Sequence, residues 1–358
     1  MRNFAKKFCM SQFYSLEVSD VKPLTPSSVA ISFAVPQDLK AEFRFKAGQY
    51  LTIKHPSAAG EIRRSYSLCS GISDNNITVG IKKVPKGAFS VYANEAISPG
   101  DVLEVMPPQG RFVFESGREK ARIMAFAAGS GITPIMSILQ TALEGNPDNE
   151  VVLVYGNQSK EETMFFEDLE ALKEKYADRF SVHYLFSRNR EDEGRFGRID
   201  KSIVNYITKN QHAGFDADGY FLCGPEEMIE TVTGTLLENG IPKEKIHHEL
   251  FTASESAGDT SGVPEGMTHV EVTLDDAQHT FEMDRKTLVL DAVLKAKIDA
   301  PYSCQGGVCS TCIARVTEGS AKMEKNQILT DSEVEEGFIL TCQAHPTSAV
   351  LKIDYDDV

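Results

Sequence analysis

Four of the seven cysteines lie in the last sixth of the 358-residue chain, at a spacing that suits a metal centre. Cys304, Cys309 and Cys312 form a C-x4-C-x2-C run, and 29 residues separate this run from Cys342. A [2Fe–2S] cluster takes two cysteine sulfurs on each iron, and this spacing is found around such clusters. Zinc also takes four thiolates, but zinc ribbons usually pair closely spaced cysteines. The spacing therefore predicts an iron–sulfur site, with zinc as the alternative.

The other cysteines and the charge limit the class of protein. Cys9, Cys69 and Cys223 are scattered, so the sequence lacks a secreted disulfide framework, and we expect it in a reducing compartment, the cytoplasm. The net charge of −15 argues against nucleic-acid binding, because phosphate contacts need Lys and Arg. No run approaches the ~20 apolar residues of a membrane span, and residues 1–10 lack the apolar core of a secretory signal. Met10 is an alternative start of translation.

The pattern of apolar and polar residues changes along the chain. Residues 11–115 contain short alternating segments between Gly and Pro turns, such as 28–35, 49–54 and 77–82, and these predict an antiparallel β-barrel. Residues 118–251 alternate apolar runs with helical patterns, which predicts an α/β domain with a parallel sheet. The apolar runs are 122–128, 151–155, 182–186 and 219–223, and the helical patterns are 134–143, 163–176 and 225–239.

The last third of the chain begins with a change in composition. Residues 252–267 are mostly small and polar, which is typical of a flexible linker. In residues 268–358, the segments 269–274 and 278–283 alternate like a β-hairpin, and 287–297 has a helical pattern. The cysteine segment follows, so residues 268–358 are expected to form a separate metal-binding domain.

Three further motifs resemble those of the ferredoxin-NADP reductase superfamily. They are Arg-Ser-Tyr-Ser at 64–67, Ala-Gly-Ser-Gly-Ile-Thr-Pro at 128–134 and Cys-Gly-Pro at 223–225. Residues 268–358 are similar to plant-type ferredoxins, which implies a β-grasp (α+β) fold. The order of the motifs resembles that of oxygenase reductases, most closely the reductase subunits of phenylacetyl-CoA epoxidases. The resemblance implies an NAD(P)H-dependent oxidoreductase with a flavin and a [2Fe–2S] cluster.

The first motif suggests the flavin contacts. By the resemblance, Tyr66 stacks on the isoalloxazine, Arg64 pairs with the flavin phosphates, and Ser67 hydrogen-bonds near N5. An aromatic face and a guanidinium suit these tasks. Gly87 and Ser90 resemble the family's second phosphate contact, where a helix start offers free N–H groups. The resemblance implies FAD, with FMN as the alternative because the phthalate dioxygenase reductase branch uses it.

The other two motifs suggest the nucleotide contacts. Gly129 and Gly131 are expected to let backbone N–H groups reach the pyrophosphate. The resemblance places Thr133 near the junction of flavin and nicotinamide, and Cys223 with Gly224 beside the nicotinamide. A buried cysteine before a turn is also a common packing residue, so this alternative stays open for Cys223.

Two pairs near strand ends complete the candidate site. Ser187 and Arg188 match the Ser-Arg pair that reads the 2′-phosphate in NADPH-selective members, which favours NADPH over NADH. An exposed arginine at a strand end is the alternative. Glu249 and Phe251 lie where family members place an acidic or aromatic residue near the flavin. Phe251 would either shield the flavin or pack against the last strand.

The proposed cofactors define the reaction. Hydride carries two electrons and the cluster accepts one, so a flavin is required between them, and the organic chemistry belongs to the cofactors. The sequence therefore predicts no general acid or base. The resemblance implies a protein electron acceptor, in this branch a di-iron oxygenase of phenylacetate catabolism. The alternatives are a reductase for a Rieske or steroid hydroxylase or for a hybrid-cluster protein, and a redox-sensing binding protein.

Overall fold

The computed structural model describes residues 12–57, 60–74, 76–115, 117, 120–188, 194–251 and 261–358. Two compact units make up this structure, one of them Tyr14–Phe251 and the other containing residues 261–358. The larger unit holds an antiparallel and a parallel sheet, and the smaller unit holds a mixed sheet. No helix among these residues is long and apolar enough to cross a membrane.

Six antiparallel strands of the larger unit close into a barrel. They are β1 (Tyr14–Thr25), β2 (Ser28–Ala34), β3 (Tyr50–Ser57), β4 (Gly60–Ser67), β5 (Ile77–Lys82) and β6 (Val102–Val105). The sheet order is β4-β3-β6-β1-β2-β5. A bridge between Leu68, which follows β4, and Val79 of β5 joins the two ends of the sheet. The predicted antiparallel barrel is therefore confirmed.

The barrel is filled by alternate residues of its strands and by one helix. On β5, Ile77, Val79 and Ile81 are buried in the barrel core, as the period-two alternation of a strand requires. Helix α1 (Ala88–Glu95) follows β5 in the chain and buries Phe89 in the same core. This packing fixes the first turn of α1 against the barrel.

Six parallel strands form the second sheet of the larger unit. The strands are β7 (Arg122–Ala128), β8 (Glu150–Asn157), β9 (Phe180–Phe186), β10 (Gly194–Phe196), β11 (Gly219–Cys223) and β12 (Ile246–Glu249). The helices between them are α2 (Ile132–Gly145), α3 (Phe166–Lys175), α4 (Lys201–Tyr206) and α5 (Glu226–Glu238). The strand order is β10-β9-β8-β7-β11-β12. The order reverses between β7 and β11, and ligands bind outside the carboxyl ends of strands at such a switch point.

The predicted parallel sheet is confirmed, and the largest difference among its predicted helix boundaries is at the start of α3. β7 and β11 correspond residue for residue to the predicted runs 122–128 and 219–223. The sequence pattern predicts helix α3 from residue 163, but the helix begins at Phe166. Phe165 has a left-handed φ of 60°, and Thr163 Oγ1 donates to the carbonyl of Ser159. The chain therefore makes a tight turn before this helix, and the helical pattern of the sequence extends into that turn.

The smaller unit has the mixed sheet of a β-grasp fold. Its elements are β13 (Met267–Leu274), β14 (Ala277–Asp284), α6 (Val289–Lys295), β15 (Ile313–Met323), α7 (Asp331–Glu335), β16 (Phe338–Leu340) and β17 (Ala344–Asp354). In the order β14-β13-β17-β15-β16, only the β13–β17 pair is parallel. The predicted hairpin is confirmed, and its two-residue turn uses Asp275 and Asp276 at φ of 52° and 61°.

The linker expected at 252–267 falls partly outside the described residues. Residues 252–260 are not among the described residues. Residues 261–266 precede β13, which begins one residue before the expected domain boundary at 268. The carbonyl of Gly266 accepts a hydrogen bond from the Arg285 N–H, so the end of this segment already belongs to the sheet.

Gly80→Ala should lower the free energy of unfolding by about 1–3 kcal/mol, because the added methyl would overpack the larger unit. The methyl would lie 2.5 Å from Cγ2 of Thr133. Thr133 is buried and its Oγ1 donates to the Ser130 carbonyl, so the side chain cannot turn aside. Denaturant unfolding followed by circular dichroism measures the change. The control is Gly234→Ala on the exposed face of α5, which should raise stability by about 0.5–1 kcal/mol. A loss of similar size in both variants would contradict the packing argument.

Candidate functional site

The turns that follow β7 and β11 contact each other at glycine residues. A Cβ on Gly131 would lie 2.1 Å from the Cys223 carbonyl oxygen and 2.8 Å from the Gly224 nitrogen, so the two backbones leave no room for a side chain. Gly129 has a φ of +54°, and a Cβ there would meet nothing within 4 Å. The structure thus brings the two predicted nucleotide motifs together at the switch point, with open space over Gly129.

Two hydroxyl groups fix the turn at residues 129–131. Tyr155 Oη donates to the Gly129 carbonyl over 2.9 Å, and Thr133 Oγ1 donates to the Ser130 carbonyl over 3.1 Å. Tyr155 is fully buried, and burial raises the pKa of its hydroxyl, so this group remains a donor. Sequence reasoning missed this role, because Tyr155 also fits the apolar pattern of a buried strand.

A buried carboxyl lies between the two sheets of the larger unit. Ser67 Oγ, at the end of β4, donates to Glu249 Oε2 over 3.3 Å, and both residues are buried. Glu249 pairs with Cys223 across β12 and β11. Burial raises the pKa of Glu249 to about 8, although the Ser67 hydrogen bond opposes this shift. Burial and then the Glu249 charge raise the pKa of Cys223, which stays a neutral thiol.

Two predicted site residues from different motifs therefore meet around Glu249. Ser67 comes from the flavin motif, and Cys223 comes from the Cys-Gly-Pro motif. Phe251, two residues beyond Glu249, has 39% of its surface exposed and is not packed in the core. Glu249 is the acidic residue expected near the flavin, and the exposure of Phe251 disfavours a packing role for it.

The flavin motif offers a ring and a guanidinium on one face of β4. Tyr66 is half-buried, with its ring centroid 5.5 Å from that of Phe89. Burial raises the pKa of the Tyr66 hydroxyl, and the charge of Arg64 opposes this. Arg64 is exposed, and its Nη1 donates to the Arg63 carbonyl. An open guanidinium beside a half-buried ring fits the phosphate and the isoalloxazine of a flavin.

The start of α1 supplies the second expected phosphate contact. Gly87 is the N-cap residue, and a Cβ there would lie 2.4 Å from Ser90 Oγ. Ser90 Oγ accepts a hydrogen bond from the Val84 N–H and is buried. The first N–H groups of a helix lack intrahelical partners and carry positive partial charge. Ser90 therefore fixes the loop before α1, and the first N–H groups of the helix are the expected hydrogen-bond donors to a phosphate.

The predicted 2′-phosphate pair lies at the carboxyl edge of the parallel sheet. The Ser187 N–H donates to the Asn157 carbonyl and the Arg188 N–H to the Gln158 carbonyl, both over 2.9 Å. Ser187 Oγ also donates to the Asn157 carbonyl, while the Arg188 side chain is exposed. This anchors the backbone of the pair and leaves the guanidinium accessible.

The four predicted cluster cysteines lie together in the smaller unit. Side-chain hydrogen bonds link the thiol of Cys304 to those of Cys309 and Cys342, and the thiol of Cys342 to that of Cys312. Within the described ranges, no three His, Cys, Asp or Glu side chains form a group that could hold a single ion. A [2Fe–2S] cluster instead takes two sulfurs on each of two irons. The paired thiols fit that cluster.

The surrounding loop suits thiolate ligands. The Gly306 N–H lies 3.4 Å from Cys304 Sγ. Hydrogen bonds from Cys309 and Cys342, and then from backbone N–H groups, hold the pKa of Cys304 well below its usual range. The Gln343 side chain donates to the carbonyls of Gln305 (3.1 Å) and Cys342 (2.8 Å). Gln343 thus ties the loop to the fourth ligand, a contact that ligand spacing does not reveal.

Comparison with known proteins agrees with this geometry. Residues 15–114 match the oxidoreductase FAD-binding domain, 126–234 the oxidoreductase NAD-binding domain, and 272–347 the 2Fe-2S iron-sulfur cluster binding domain. The chain is 37% identical over 352 residues to a 1,2-phenylacetyl-CoA epoxidase component from Escherichia coli K12, covering 97% of this chain and 99% of that protein. This chain belongs to the family of reductases in which FAD-, NAD- and 2Fe-2S-binding domains follow one another.

Two further relatives extend the comparison. The reductase is 36% identical to the ferredoxin reductase component of 3-ketosteroid-9-alpha-monooxygenase from Rhodococcus rhodochrous, covering 95% of this chain and 96% of that protein. The structure of phthalate dioxygenase reductase shares its fold, with a TM-score of 0.60, 22% identity, and coverage of 96% and 98% of the two chains. The predicted FAD, nicotinamide nucleotide and 2Fe-2S cofactors are confirmed at the level of the domains, and zinc is not supported.

Glu249→Gln should remove one component of the pH dependence of stability. The pKa of Glu249 is about 8 in the folded reductase and about 4.5 in the unfolded chain. Between these values the folded state binds one more proton, so stability falls as the pH rises through this window. The glutamine variant should lose this fall, measured by urea unfolding at pH 6 and pH 8.5.

The control for this prediction is Glu230→Gln, an exposed carboxylate on α5. It should keep the wild-type difference between the two pH values. A wild-type difference in the Glu249 variant would show that the carboxyl is not the titrating group.

Proposed function

We propose that this reductase takes hydride from NADPH at the switch point of the parallel sheet and delivers single electrons through its [2Fe–2S] cluster to an oxygenase. The hydrogen bond between Ser67 and Glu249 carries this proposal. It joins the flavin motif of the barrel to the strand that pairs with Cys223. A flavin held by Tyr66 and a nicotinamide held beside Cys223 would then lie next to each other.

The residues of the site would bind and orient the cofactors. FAD, when bound, accepts two electrons as hydride and releases them one at a time. Ser67 and the neutral carboxyl of Glu249 would hydrogen-bond at the edge of the ring system. Cys223 would pack its neutral thiol beside the nicotinamide. The Gly131–Cys223 contact would keep the two nucleotide loops in register.

The exposed guanidinium of Arg188 supports a preference for NADPH. Ser187 and Arg188 are anchored by their backbone at the carboxyl edge, where the adenosine end of the nucleotide would lie. An arginine there can form charge-assisted hydrogen bonds to a 2′-phosphate, which NADH lacks.

Arg188→Ala should raise the KM for NADPH about tenfold or more and change the KM for NADH less than twofold, because only the 2′-phosphate contact is lost. Steady-state ferricyanide reduction measures both constants. Arg44→Ala, which removes an exposed arginine of the barrel, should leave both unchanged. Equal effects of Arg188→Ala on the two nucleotides would remove the reason for proposing NADPH.

We propose that the acceptor is a di-iron phenylacetyl-CoA epoxidase of phenylacetate catabolism. The similarity to the Escherichia coli epoxidase component over 97% of the chain supports this acceptor. The Rhodococcus relative, at 36% identity, supports a steroid monooxygenase as the second candidate.

The six cysteines described are all free, which supports a reducing compartment, the cytoplasm.

Reconstitution with each oxygenase tests the acceptor. With NADPH and the remaining epoxidase components, we expect oxidation of phenylacetyl-CoA, and with the steroid oxygenase little product. Cys309→Ser should abolish this transfer and the [2Fe–2S] absorption, yet keep ferricyanide reduction at the flavin. Cys69→Ser, which changes a buried cysteine of the barrel, should keep both activities. Electron transfer to the steroid oxygenase but not to the epoxidase would exclude the epoxidase as the acceptor. If the reductase transferred electrons to none of the acceptors tested, a redox-sensing role would be favoured.

A further inference from the structure

A stacked pair of rings on the barrel has no part in the site described so far. The rings of His55 and Tyr92 lie 4.4 Å apart at 26°, and the His55 ring also meets the edge of Phe89 at 5.4 Å. His55 is on β3 and Tyr92 is in the second turn of α1. Both side chains are partly exposed. Phe89 contacts Tyr66 as well, so the pair is continuous with the proposed flavin site.

The strand register sets the order of these side chains. Residues that pair directly across antiparallel strands point to the same face. The β3–β4 pairs are Leu51 with Tyr66, Ile53 with Arg64, and His55 with Ile62. One face therefore presents Tyr66, then Arg64, then His55, in steps of two residues or about 7 Å. Arg64 lies between the two aromatic positions.

This order matches the chemical order of a dinucleotide. With a flavin ring at Tyr66 and phosphate at Arg64 and the start of α1, FMN would end at Arg64. FAD continues past that point with a second phosphate, a ribose and an adenine. The next position on the face is the His55–Tyr92 pair.

We propose that His55, supported from behind by Tyr92, stacks on the adenine of FAD and makes the reductase select FAD over FMN. The inference rests on the flavin site proposed above. It assigns a binding role to His55, which lies outside all of the family motifs in this sequence. Flat rings in offset stacks attract each other beyond the area they bury.

The surroundings of His55 suit this role. Burial lowers the pKa of His55 below its usual value of about 6.5, so the imidazole is neutral at pH 7. A neutral ring stacks on neutral adenine without the cost of desolvating a charge. Tyr92 and Phe89 also restrict the orientation of the ring, so little side-chain entropy remains to be lost on binding.

The affinity of the full-length protein for each flavin tests the inference, and this measurement does not depend on enzyme activity. The flavin is removed and the protein is titrated with FAD or FMN, with quenching of flavin fluorescence as the signal. Wild type should bind FAD at least tenfold more tightly than FMN. His55→Ala should weaken FAD binding about tenfold and leave FMN binding unchanged, and His55→Phe should restore most of the FAD affinity.

Two other variants exclude a structural explanation. His247→Ala removes a similar stack, in which His247 lies 5.0 Å from the Phe221 ring at 25° on the parallel sheet, and both flavin affinities should stay at wild-type values. Tyr92→Leu should reduce FAD affinity in the same direction as His55→Ala, so the inference can be tested even if one variant fails to fold.

Three outcomes would overturn the inference. Equal losses of FAD and FMN affinity in His55→Ala would mean that the ring contacts the shared half or only supports the fold. An unchanged FAD affinity would mean that the adenine lies elsewhere. In both cases wild type still binds FAD and reduces ferricyanide, so the proposed function stands. A wild-type protein that binds neither flavin would overturn the inference and the proposed function together.

Discussion

One buried hydrogen bond, from the Ser67 hydroxyl to the Glu249 carboxyl, joins the two sheets of the larger unit at the candidate site. Ser67 ends a barrel strand and Glu249 ends a strand of the parallel sheet, so the bond fixes the two sheets at the place where their motifs converge. A buried carboxyl is costly when charged, and its raised pKa keeps it protonated near neutral pH. The protonated carboxyl can therefore be buried between the two sheets without the cost of burying a charge.

Close backbone contacts extend this alignment through the rest of the unit. Gly131 lets the turn after β7 touch the turn after β11, and Gly80 lets the barrel touch the start of α2. Tyr155 supports the first of these turns from within the sheet. Hydride transfer requires reacting atoms within about 3–3.5 Å, so a site assembled from two sheets needs this rigidity before its ligands bind.

The fold was predictable where burial alone decides the structure. The runs at 77–82, 122–128 and 219–223 became strands with those bounds, because the apolar residues of each run are buried in a sheet. The start of α3 was not predictable, since the left-handed Phe165 has no signal in the sequence. The grouping of the four cysteines could be predicted because one loop sets the spacing of three of them. The contacts of His55 and Gln343 join distant segments, which spacing does not encode.

The division into two compact units also sets an order of events during synthesis. The complete unit Tyr14–Phe251 leaves the ribosome before any cluster cysteine, and Cys342 follows Phe251 by 91 residues. At about 5–20 residues per second, this interval lasts roughly 5–20 s. The larger unit can thus fold while the cluster ligands are still being translated, and a cluster held by all four cysteines can form only after Cys342 has been made.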